Sequence, residues 1–79
     1  MTKREREQVV MLLRCAADVC MNGGDWTAGI GTAAGHLDLA RNVENRAMHA
    51  YWFAASRSGH RRPLVYLEAA ALVEEGSWP

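Results

Sequence analysis

The 79-residue chain is predicted to be all-α, a small bundle of three main helices plus a short glycine-containing one. Three observations predict it. Apolar residues recur at i, i+3, i+4 and i+7 in successive alanine-studded stretches. No stretch alternates apolar and polar residues for the length of a strand, and the β-branched residues fall inside the helical stripes. The length leaves room for one core, so residues 1–79 form a single domain.

The first helix is expected over about residues 3–21. Thr2-Lys3-Arg4-Glu5 has the spacing of a capping box, in which the Thr2 hydroxyl and the Glu5 carboxylate each satisfy an otherwise orphaned backbone N–H. Val9, Leu12, Leu13, Ala16 and Cys20 make the core stripe, with Glu7, Arg14 and Asp18 opposite. Asn22-Gly23-Gly24 stops the helix by accepting left-handed geometry.

A short helix follows over about 26–34, capped by Asp25, with Trp26, Ile30, Ala33, Ala34 and Leu37 on one side. Gly29 and Gly31 each cost about 1 kcal/mol in a helix interior, so the competing reading is an ordered glycine-rich loop. Gly35-His36-Leu37-Asp38 reads as a stop, a link and a new cap. The third helix is expected over about 39–56 with core positions Val43, Ala47, Ala50 and Ala54. Tyr51, Trp52 and Phe53 are consecutive, so they point three ways at ~100° per residue. Trp52 falls nearly opposite the core stripe, beside Met48 and Ala55.

Pro63 suits the first position of a last helix over about 63–75, ahead of Gly76. Tyr66, Ala69, Ala70 and Val73 form its stripe and Val65 and Leu72 widen it, so this element is expected to be the most enclosed. Ala16 and Ala17 in the first helix and Ala69 and Ala70 here permit close helix approach.

Composition narrows the function classes. Nine basic against nine acidic residues leave no net charge to steer a polyanion. The hydrophobic share is 49%, but 13 of those residues are alanine, leaving few large aliphatic side chains to offset an ordering cost of roughly 1.5 kcal/mol per residue. A homo-oligomer, most simply a dimer, would relieve that shortage. The charged start, Met1 to Glu7, is unlike a signal peptide, and no run approaches the ~20 apolar residues of a membrane span. Cys15 and Cys20 lie about 7.5 Å apart along one helix, beyond the usual Cα separation of a disulfide. Free thiols and a cytoplasmic setting are therefore expected.

Two end segments carry a resemblance: Glu5-Arg6-Glu7-Gln8-Val9-Val10-Met11-Leu12-Leu13-Arg14-Cys15-Ala16-Ala17-Asp18, and Tyr66-Leu67-Glu68-Ala69-Ala70-Ala71-Leu72-Val73-Glu74-Glu75-Gly76-Ser77-Trp78-Pro79. Together, about a third of the chain, they resemble small uncharacterised proteins encoded by bacteriophages and prophages. The resemblance brings no activity and no functional residue. It implies a bacterial cell interior and an accessory role, in which a tiny phage protein binds a host or phage protein.

Catalytic and ligand-binding readings find little to stand on. Gly29-x-Gly31-x-x-x-Gly35 lacks the preceding strand that a dinucleotide loop requires, so no cofactor is assigned. His36, His49, His60, Cys15 and Cys20 form no paired ligand motif, so no metal is assigned. Cys15 or Ser58 with His60 would make a nucleophile and base only by tertiary coincidence, and no catalytic residue is named. Arg57, His60, Arg61 and Arg62 offer an anion or acidic-partner contact in one loop. They also support the runner-up function, a nucleic-acid-binding regulator. A helix-turn-helix over residues 27–46 would place Asp38 and Glu44 on or beside its recognition helix, facing phosphates.

The feature with most weight is Met48, Trp52 and Ala55, an apolar patch on the side of the third helix away from its core stripe. Trp and Met are enriched at interfaces, so this patch is the candidate surface for a second copy or another protein. The competing cover is the short second helix or the Trp78 tail.

Overall fold

A computed structural model describes residues 1–23, 29–59 and 61–76. Four helices follow in order: α1 (Lys3–Asn22), α2 (Ile30–Leu37), α3 (Arg41–Arg57) and α4 (Arg62–Glu75). No strand occurs among the described residues, so the chain is all-α. The Cα trace spans 32 × 29 × 15 Å, a slab about two helices deep in which every helix keeps one side toward solvent.

The core forms where the sequence periodicity places it. Val9, Leu12, Leu13, Ala16 and Cys20 of α1 are fully buried, as are Val43, Ala47, Ala50 and Ala54 of α3, and Tyr66, Ala69, Ala70 and Val73 of α4. The largest helix pairing is α1 with α4, where Ala16, Ala17, Ala69 and Ala70 are all enclosed. Arg14 Nη2 lies 2.7 Å from Glu74 Oε2, and Cys20 lies beside Tyr66, so the two helices run antiparallel. Tyr51 and Tyr66 meet at 4.7 Å between ring centroids where α3 crosses α4.

The helix ends depart from the sequence reading in instructive ways. At Thr2 the backbone N–H of Glu5 donates to the hydroxyl at 3.1 Å, as a cap should. The Glu5 carboxylate, expected to bind a backbone N–H, instead takes the Thr2 hydroxyl at 3.3 Å and the Arg46 guanidinium of α3 at 3.2 Å. Tertiary pairing redirects the group that local geometry had spoken for.

Gly23, where α1 stops, is right-handed at φ −82°, not left-handed. Its value there is space, because a Cβ would stand 2.7 Å from the Val19 carbonyl oxygen. Gly24, the Asp25 cap and Trp26 lie outside the described residues.

The short helix begins at Ile30 rather than near 26, with Gly29 as its N-cap, and runs past Gly35 to Leu37. Gly35 therefore sits inside the helix that it was expected to end. The stop is Asp38, left-handed at φ 52°, not the N-cap of the next helix. The Leu39 N–H turns back to the Ala34 carbonyl at 3.1 Å, and Leu37 and Leu39 pack against the core. This is a Schellman closure, and Asp is among the few non-glycine residues that accept it. α3 consequently starts later, at Arg41, with Ala40 as an N-cap that makes no side-chain hydrogen bond.

Candidate protein-interaction surface

Met48 and Trp52 stand together on the solvent side of α3, 39% and 62% exposed. Their exposure follows from helix geometry, since Ala47, Ala50 and Ala54 of the same helix are spent on the core. Ala55, the third candidate, is half-buried and packs against the core, so it belongs to the edge of the patch. Trp52 is held edge-on to Tyr51, ring centroids 5.3 Å apart at 74°. Tyr51, half-buried, in turn leans on the buried Tyr66, so an aromatic pair anchored in the core supports the exposed indole.

A shallow groove of about 280 Å³ runs beside these rings, between Gly29 to Gly31 and the start of α4, and Arg62 borders it. Tyr66 forms part of its floor. Burial pushes the Tyr66 phenol up to about 12, a shift that nearby Cys20 and Tyr51 add to and Arg62 opposes. The phenol is therefore a neutral group at ordinary pH.

The basic residues stand at the end of α3 and the start of α4. Arg57 stacks over the Phe53 ring at 5.2 Å and borders a separate groove with Ala54, Glu68, Ala71 and Leu72. Arg62 borders the Trp52 groove, and Arg61 is the exposed N-cap of α4. His60 lies outside the described residues. Arg57 and Arg62 thus sit on different grooves, although sequence proximity had grouped them as one anion contact.

Among the described residues no group of three or more His, Cys, Asp or Glu is placed to hold a metal. Both cysteines are free thiols, Cys20 buried and Cys15 half-buried. Desolvation first, and then the negative charge of Asp18, raise the Cys15 thiol above its usual range, the opposite of what an activated nucleophile requires. Among the described residues no helix is long and apolar enough to cross a membrane.

Sequence reasoning missed a second exposed apolar strip. α4 is the most enclosed helix, as expected, with six of its 14 residues buried, yet Leu64 is 46% and Leu67 39% exposed, with Ala71 exposed one turn further on. The signal was available. α4 carries apolar residues around most of its circumference, and a neighbouring pair of helices can cover only part of it.

No protein-family model matches the chain, and neither a curated protein nor a solved structure shows significant similarity to it.

Proposed function

We propose that this protein is a non-catalytic protein-interaction module of the accessory kind that phages encode, working in the cytoplasm of a bacterial host. In this reading α1, α3 and α4 make a three-helix bundle to which the short, glycine-containing α2 is appended. It contacts a second copy or a host or phage protein through Trp52 and Met48, with Ala55 at the edge. The observation that carries the reading is the exposure of Trp52, an indole supported by Tyr51 on the side of α3 that the core does not use. An exposed Trp on a rigid helix is the kind of anchor that dominates protein interfaces. The regulator reading through Arg57, His60, Arg61 and Arg62 has less support, because Arg57 and Arg62 border different grooves.

Truncating a central interface Trp costs about 2 kcal/mol or more of binding, roughly thirtyfold, whereas losing a buried Trp costs about 3–5 kcal/mol of folding. Trp52→Ala is therefore expected to weaken assembly in sedimentation velocity while the far-ultraviolet dichroism stays helical. A variant that unfolds, or one that assembles as the wild type does, rejects the surface.

A further inference from the structure

We infer that the exposed side of α4 is a self-association surface, on which a second copy of this chain lays its own α4 antiparallel to the first. The surface is distinct from the Trp52 face, and the inference does not depend on that reading.

The apolar centre is Leu64, Leu67 and Ala71, spaced i, i+3 and i+7, the narrow stripe along which two helices seat against each other. Met21 of α1 extends it. Arg14 meets Glu74, and seven residues on in opposite directions along this antiparallel pair stand Met21 and Leu67, both exposed. The patch is thus continuous across the α1–α4 seam.

Charge selects the occupant and its direction. The stripe ends in Arg61 at the start of α4 and in Glu74 and Glu75 at its finish, all exposed. Arg61 and Glu75 each lie seven residues from Glu68. A two-fold axis near Glu68 therefore sets Arg61 of each copy opposite the Glu74–Glu75 end of the other and Leu64 of each against Ala71 of the other, while the two Leu67 side chains meet near the axis. Parallel pairing would put Arg61 against Arg61 and Glu75 against Glu75. Antiparallel pairing also opposes the helix dipoles favourably. Such a contact is isologous and closes at two copies. Arg57 borders the same groove as Glu68, so a cation stands near the axis where two Glu68 carboxylates approach. A helix of 14 residues is about 21 Å long, and with Met21 the contact falls near the ~1,000 Å² lower bound of specific interfaces. The dimer is accordingly a weak one.

Sedimentation equilibrium from micromolar to millimolar chain, run in both the wild type and the Trp52→Ala variant, tests it. Whatever further association through the Trp52 face Trp52→Ala removes from the wild type, a dimer that survives that substitution is expected. Leu67→Arg, at a position 39% exposed and so compatible with folding, should weaken it at least about tenfold in both backgrounds. Arg61→Glu and Glu75→Arg should each weaken it several-fold, and the two together in one chain should restore it, since each copy then again presents opposite charges to the other. A monomer throughout, a dimer that Trp52→Ala abolishes, or a dimer indifferent to Leu67→Arg overturns the inference. A double charge swap no tighter than its single variants overturns the antiparallel register.

Discussion

Leu13 shows what one residue contributes to a core this small. It is fully buried among side chains of which many are alanines, so the space left by truncation has few large neighbours to fill it. Leu13→Ala should cost about 2–5 kcal/mol, read as a lowered denaturant midpoint. Tyr66 gives the molecule a sensitivity to alkali. Its folded pKa, about 12, stands above the ordinary value of 10, so between those values the unfolded chain releases the phenolic proton while the folded chain keeps it. The contribution of Tyr66 to stability is complete below pH 10 and declines as pH rises toward about 12. Denaturation measured across that window should show stability falling, and Tyr66→Phe should flatten the fall. The same burial governs the thiols: Cys15 should alkylate more slowly than an ordinary thiol, and Cys20 only when the chain unfolds.

At the scale of the elements, the helix ends are unevenly finished. α1 has a side-chain cap and α4 ends on Gly76, left-handed at φ 77° with its N–H donating to the Val73 carbonyl at 3.1 Å. α3 begins on Ala40, whose extended φ of −66° and ψ of 152° suit a capping residue but whose methyl accepts nothing. Ala40→Asp should stabilise the fold by about 1 kcal/mol, visible as a raised melting temperature. Gly76→Ala should lower it by about 1–2 kcal/mol, because a Cβ is strained in that backbone region whatever room surrounds it. Core stripes were legible from the sequence because burial imposes a period that can be counted. The ends of α2 and α3 were not, because Gly35 and Asp38 each suit either role. The choice was made by Leu37 and Leu39 packing on the core.

For the whole molecule, a slab 15 Å thick has much surface for its volume, and two apolar strips remain on it, around Trp52 on α3 and along Leu64 and Leu67 on α4. A domain of 79 residues has little stability in reserve, so association through either strip is coupled to folding. The melting temperature should therefore rise with protein concentration, and Leu67→Arg should remove part of that dependence. A melting temperature unchanged from micromolar to millimolar protein would uncouple the two.

By itself the sequence determined the helical class and the stripe that each described helix turns inward, since both follow from local periodicity and the scarcity of strand patterns. It also placed Trp52 away from the core of α3, because residues on one helix have fixed angular relations. The tertiary structure decided what depends on which helix lies next to which. It paired Glu5 with Arg46, put Arg57 and Arg62 on different grooves, and drew Ala55 to the core. It also left Leu64 and Leu67 in solvent on a helix apolar nearly all round. Periodicity reports which side of a helix is apolar, but the number of neighbours available to cover that side is a property of the packed molecule.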